Sequence, residues 1–187
     1  MTRSFDGTPI EATLLDELCA TALWAPTAGN SAGVRLSTFD QHCVTAYLEV
    51  ATDQAWRERS RRAPGLARAG GLVLVTTRVQ DYLERYGEAD KAPSELATRA
   101  SWPLPFWLAD AAMATMALLL LLEEAGWQAA LWGNFRNGDE VLRWAGLADE
   151  ELVATVFVGR DDGNDVTSSS LGRQVPSRRE RVRRLHP

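Results

Sequence analysis

The chain has 187 residues, 45% of them hydrophobic and 24% charged, with a formal net charge of −5 at pH 7. That length suits one domain with an ordinary buried core, and the acidic balance asks for neither nucleic acid nor a membrane as partner. Cys19 and Cys43 stand far apart outside any CxxC spacing, and His42 and His186 have no clustered company, so neither a disulfide framework nor a metal site is expected.

In chain order, residues 8 to 24 are predicted to form the first helix. Thr8 is placed to cap it, Pro9 fits its first turn and Glu11 takes the capping-box position. Leu14, Leu15, Leu18, Ala22 and Leu23 recur at helical spacing, with Cys19 among them as a small buried hydrophobe. Ala25-Pro26 should stop the helix, because the residue before proline is pushed out of the helical region. A loop of small residues follows, Thr27 to Gly33. Val34 to Phe39 and Thr45 to Val50 both alternate like strands.

Arg57 to Arg68 is basic and reads as a helix broken at Pro64. Leu72 to Thr77 is a continuous apolar run, as expected of a strand covered on both faces. Residues 79 to 104, with Tyr82, Tyr86, Lys91 and several prolines, read as a mobile excursion. The longest helix runs from Phe106 to Ala125 and ends at Gly126. It carries Asp110 and runs into Glu123-Glu124, which argues for a buried core helix over a membrane span. Its apolar character nearly all round hints that a second subunit covers part of it. Trp127 to Trp132 is a short strand, Asp139 to Ala145 a short helix, and Leu152 to Val158 a closing strand. Six arginines lie between Arg173 and Arg184. The expected organisation is one α+β domain over 1–165, with a central sheet flanked by helices, and an arginine-rich tail over 166–187.

Four stretches, in this order and spacing, resemble the FMN-dependent nitroreductase-like family. They are Arg3-Ser4-Phe5 ahead of a proline and a helix; Ala25-Pro26-Thr27-Ala28-Gly29-Asn30-Ser31; the helix pattern Trp107, Asp110, Ala114, Leu120, Gly126 leading into Leu131-Trp132-Gly133-Asn134-Phe135; and Val156-Phe157-Val158-Gly159 before an arginine-bearing tail. The resemblance implies a nitroreductase-like fold with a central mixed sheet, as an intertwined homodimer with its sites at the interface. It places Arg3 at the FMN phosphate, with Arg173 or Arg178 completing the clamp. Burying a phosphate dianion without cationic partners is prohibitively costly, and the guanidinium fork suits it. The resemblance lays Pro26, Thr27, Ala28 and Asn30 against the flavin of the other subunit, and Leu131, Trp132 and Gly133 against its own. A strand-end glycine permits that close approach. Arg62 is the candidate for the flavin N1/O2 edge, and Tyr82, Tyr86, Trp102 and Trp107 for walls of a substrate pocket.

This chain departs from the family pattern in two places. The family usually has an arginine and a serine just before its R-x-F start, where this chain begins at Met1, and often has Gln-Pro where Ala32 and Gly33 stand. The activity implied is hydride transfer from NADH or NADPH through the flavin N5 to an electron-poor small molecule such as a nitroaromatic or quinone. The cofactor then carries the chemistry, and no catalytic side chain is assigned. Other readings stay open: a flavin-dependent dehydrogenase or oxidase of a specialised metabolite or peptide, an F420-binding relative, or a scaffold subunit that no longer holds flavin. The basic tail is capable of phosphate contacts, but the acidic chain shows no nucleic-acid motif. The start of the sequence carries no basic-then-apolar signal segment, which points to the cytoplasm.

Overall fold

The computed structural model describes residues 1–184, so His186 lies outside the described residues. The elements in chain order are α1 (Ala12–Ala22), β1 (Val34–Asp40), α2 (Gln41–Ala51), α3 (Gln54–Arg59), α4 (Ala63–Leu66), β2 (Gly71–Thr77), α5 (Val79–Gly87), α6 (Phe106–Glu124), β3 (Gln128–Trp132), α7 (Gly138–Ala145) and β4 (Glu151–Gly159).

The four strands form one sheet in the order β1-β2-β4-β3. All three pairings are antiparallel, where a mixed sheet was expected. The connections decide this. Helices α2 to α4 leave the sheet at Asp40 and return directly opposite, at Gly71, so β2 must run back along β1. Likewise α7 leaves from Trp132 and returns at Glu151, four residues ahead of Thr155, the partner of Trp132.

Strand β2 is buried at every position because helices cover both faces of the sheet. Its side chains alternate between two cores. Val73 and Val75 join Leu15, Cys19, Leu118 and Leu122 of α1 and α6. Leu72 and Leu74 join Val44, Tyr47, Leu48 and Val141 of α2 and α7. The buried Cys19 thiol has its pKa pushed up to about 12 by desolvation, with a further contribution from Asp16. We therefore expect a thiol reagent at pH 8 to spare Cys19 in the native protein. A titration that finds both thiols reacting at the rate of the unfolded chain would contradict that packing.

Three local expectations change. Thr8 does not cap α1: its N–H and hydroxyl both donate to the Asp6 carboxylate, at 2.7 and 3.0 Å, and the helix begins only after Glu11. The alternating stretch from Thr45 is helix α2, not a strand. Asp40 caps it by accepting from the His42 N–H, and Val44, Tyr47, Leu48 and Ala51 fall on one face at helical spacing. Residues 79–104, expected to stand off as an excursion, are packed onto the fold at α5, where Tyr82 is fully buried among Trp102 and Trp107. Pro64 does stand at a break, in the first turn of the short helix α4.

Helix α6 is the one described helix long and apolar enough to cross a membrane, and its inner side packs on the sheet instead. Trp107, Asp110, Ala111, Ala114, Leu118 and Leu122 are buried. Its outer side is apolar too, with Phe106, Met113, Met116 and Leu120 exposed, the last two at 52% and 58%.

Candidate functional site

The start of the chain is built into the fold. The Thr2 N–H donates to the Ala129 carbonyl at 3.0 Å and the Phe5 N–H to the Gly65 carbonyl at 3.3 Å, tying it to β3 and α4. Phe5 is fully buried. Arg3, between these anchors, is thereby delivered to a cavity of about 550 Å³ at the end of β3. Such a volume is in the range of small-molecule sites.

One wall of that cavity is Leu131, Trp132, Gly133 and Asn134, where β3 ends. Another is Trp56 of α3 with Arg62 at the start of α4. Trp132 stands edge-on to Trp56, with centroids 5.2 Å apart, and to Phe157 at 6.2 Å. It is half-buried, so it serves both core and cavity. Phe135 is 96% exposed at the rim, and its ring lies so close over Gly133 that a Cβ there would meet it at 2.7 Å. A side chain at position 133 would displace that exposed ring.

The cavity is cationic. Arg3, Arg62 and Arg136 line it with Asp53 as the one acid. Arg136 pairs with Asp53 at 3.5 Å and Arg3 stands 3.9 Å from Asp165. Arg62 makes no ion pair among the described residues. Two arginines beside an aromatic wall and a strand-end glycine suit a planar heteroaromatic ligand that carries a phosphate. The donor set therefore fits FMN.

The loop from Thr27 to Gly33 forms a second, separate cluster. It lines a smaller cavity of about 210 Å³ together with Leu23, Arg35 and Asp110, and shares no residue with the first. Gly29, Asn30 and Ala32 all have positive φ, at 62°, 55° and 51°. For Asn30 and Ala32 this is a costly conformation that surrounding contacts must impose. Those contacts come from α5 and α6. Asp110, 2% exposed, accepts the Ala28 N–H at 2.8 Å and the Tyr82 hydroxyl at 2.9 Å. Arg85 Nε donates to the Gly29 carbonyl at 2.9 Å. The Tyr82 ring sits against Gly33 where no side chain would fit. Burial, reinforced by Asp110, raises the Tyr82 phenol well above its usual pKa, so it stays a donor. Pro26 and Asn30 face outward, exposed.

The structure thus gathers Arg3, Leu131, Trp132 and Gly133 at one cavity and holds Thr27, Ala28 and Asn30 in the separate loop. It does not bring Arg173 or Arg178 to either cavity: both are exposed. Asp162 anchors the chain on Ser4 at 2.9 Å and on Arg68, and beyond Thr167 the described tail buries no side chain. Tyr82, Tyr86, Trp102 and Trp107 do not wall the larger cavity, because they form the cluster that braces the loop. Sequence reasoning missed Trp56, Arg136 and the clamp role of Asp110. Only Asp110 had a signal, as part of the helix pattern.

A three-layer α+β fold with a cationic, aromatic cavity at a strand end defines the class of cofactor-binding enzyme folds to which this chain is similar. The profile of the nitroreductase family matches residues 1–160, and the chain belongs to that family. Among solved structures, a nitroreductase family protein from Streptococcus pneumoniae TIGR4 is similar with a TM-score of 0.67 and 16% identity, over 98% of this chain and 94% of that one. An oxidoreductase containing FMN has a TM-score of 0.64 and 19% identity, over 91% and 74%. A Staphylococcus epidermidis protein, described provisionally as an NAD(P)H:FMN oxidoreductase, has a TM-score of 0.66 and 18% identity, over 99% and 91%. At such identities the likeness is one of fold. No curated protein sequence matches the chain.

Proposed function

We propose that this chain is an FMN-dependent oxidoreductase that works as a homodimer in the cytoplasm. The observation that carries the reading is the cavity at the end of β3, where Arg3 and Arg62 stand beside Trp132 and Gly133. In this reading Arg3 holds the phosphate, Arg62 bears on the polar edge of the flavin, and Leu131, Trp132 and Gly133 form the wall on which it lies. Bound there, FMN would supply the chemistry of hydride transfer between NADH or NADPH and an electron-poor acceptor such as a nitroaromatic or quinone. The residues of the chain bind, orient and exclude water, and none is needed as an acid or base.

Two features support the dimer. The outer face of α6 is an uncovered apolar stripe, and Trp24, 89% exposed, adds to the apolar surface at the end of α1. Asn30 in the clamped loop at Thr27–Gly33 and Pro26 just before it are exposed. A second copy would cover the stripe and bring each loop to the other copy's cavity. The exposed tail, with Arg173 and Arg178, is then free to reach the partner's phosphate site.

An absorbance spectrum before and after incubation with excess FMN tests the reading. We expect flavin bands near ~450 nm at about one per subunit, and oxidation of NADH or NADPH once an acceptor is added. A folded protein that takes up no flavin would sink it. Arg3→Ala should weaken FMN about 30- to 100-fold, the loss of a charge-assisted contact, while riboflavin, which lacks the phosphate, binds both proteins alike. Equal loss for the two ligands would remove Arg3 from the phosphate.

A further inference from the structure

Three buried or half-buried polar side chains from three elements meet behind the strand-end wall. The Asn134 Nδ2 donates to the Tyr47 hydroxyl at 2.8 Å, that hydroxyl donates to Thr155 Oγ1 at 2.8 Å, and Thr155 Oγ1 donates to Asn134 Oδ1 at 2.9 Å. The ring is closed and runs in one direction. Each hydroxyl donates once and accepts once, and the amide does both, so no member lacks a partner. Tyr47 and Thr155 are fully buried, on α2 and β4. Asn134 follows β3 and lines the larger cavity.

We propose that Asn134 is a positioning residue, locked by Tyr47 and Thr155, that fixes the Gly133–Asn134 backbone lining the cavity. The inference rests on the flavin reading of that cavity. Its physical basis is that β3 ends at Trp132 and leaves the sheet ladder there. From Gly133 to the start of α7 the backbone has no strand partner, and Asn137 enters α7 with a positive φ of 54°. A chain released from its ladder needs other contacts to hold one conformation. The Asn134 ring ties it to β4 and α2 at once. Tyr47 is itself held by Phe157 and Trp144, with centroids at 5.5 and 6.2 Å, so the ring's anchor is rigid. Burial raises the Tyr47 phenol above its usual pKa, which keeps it a donor.

The test compares Tyr47→Phe, Thr155→Val, Thr155→Ser and Asn134→Ala with the unaltered protein. Tyr47→Phe keeps the packed ring and removes only the hydroxyl. We expect it and Thr155→Val to weaken FMN about five- to tenfold and to shift the bound-flavin absorption bands. Thr155→Ser, which keeps the hydroxyl, should restore both readouts. Tyr47→Phe added to Asn134→Ala should cost nothing beyond Asn134→Ala, because the residues act as one unit. Lower melting temperatures with unchanged FMN affinity and spectrum, or additive losses in the double variant, would overturn the proposal. The side-chain amide of Asn134, followed by NMR without flavin, keeps the ring separable from the proposed function. Failure of the unaltered protein to take up FMN counts against the function, and the ring is then judged on this signal. A slowly exchanging amide that averages in Tyr47→Phe supports it, and an identical signal in both proteins overturns it.

Discussion

Changing Met113 and Leu120 together to glutamate should separate the proposed dimer into monomers and abolish flavin retention in the same step. Both residues are exposed on the outer face of α6 in a single copy, at a spacing that continues from Phe106 through Met116. Helix α6 is apolar on both sides, whereas a helix covered on one side by its own core ordinarily turns charge to the other. An apolar stripe of this kind on a surface marks an interaction site. If two copies bury it, two carboxylates per chain must lose their water there, a penalty of several kcal/mol. Tenfold in association per 1.4 kcal/mol then implies a loss on the order of a thousandfold or more. Light scattering behind size exclusion reads the mass and the absorbance of the same peak reads the flavin. A variant that stays dimeric and yellow would place the interface elsewhere. A monomer that keeps its flavin would show that one chain completes the site.

Asp110→Ala should produce the largest loss of stability of any single change at the loop. The carboxylate serves two donors, the Ala28 N–H and the Tyr82 hydroxyl, and removing it strands both in partly or fully buried surroundings. Unsatisfied donors to a former charge cost about 3 kcal/mol together. For a chain of this length that is roughly 6–12 °C in melting temperature at fixed protein concentration. The loop should respond beyond its share of global stability, because Asn30 and Ala32 hold positive φ only while the clamp imposes it. Faster amide exchange at Ala28 and weaker flavin retention are therefore expected together. Asp110→Asn, which still accepts through Oδ1, should recover much of both. A melting temperature within roughly 2 °C of the unaltered protein would show that the loop needs no clamp.

Much of the architecture was legible because it follows from one-dimensional pattern. The continuous apolar run at Leu72–Thr77 reads as a doubly covered strand, and it is one. The long helix from Phe106 was placed to within a residue at its C-terminal end, since its composition and Gly126 mark it without ambiguity. The stretch around Tyr47 went wrong for an equally local reason. Over six residues alternation and helical recurrence overlap, and the Asp40 cap that decides between them lies outside the window. Thr8 looked like a cap because residue type does not reveal that Asp6 already holds its N–H and hydroxyl. Residues 79–104 read as an excursion because prolines and charges are counted locally, while the burial of Tyr82 depends on Trp102, Trp107 and Asp110 arriving from later in the chain.

By itself, then, the sequence determined the α+β class, the family, the order of most elements and the motifs at Arg3, Thr27–Gly33 and Leu131–Gly133, all of which are properties of neighbours along the chain. Tertiary structure alone decided that Arg3 and Arg62 share a cavity with Trp132 while the loop lies apart. It also decided that α5 and Asp110 clamp that loop, and that Tyr47, Thr155 and Asn134 close a ring. Tyr47 and Thr155 are 108 positions apart. No periodicity in the sequence reports such a pairing, because it exists only once packing of two helix layers on one sheet has set the distance.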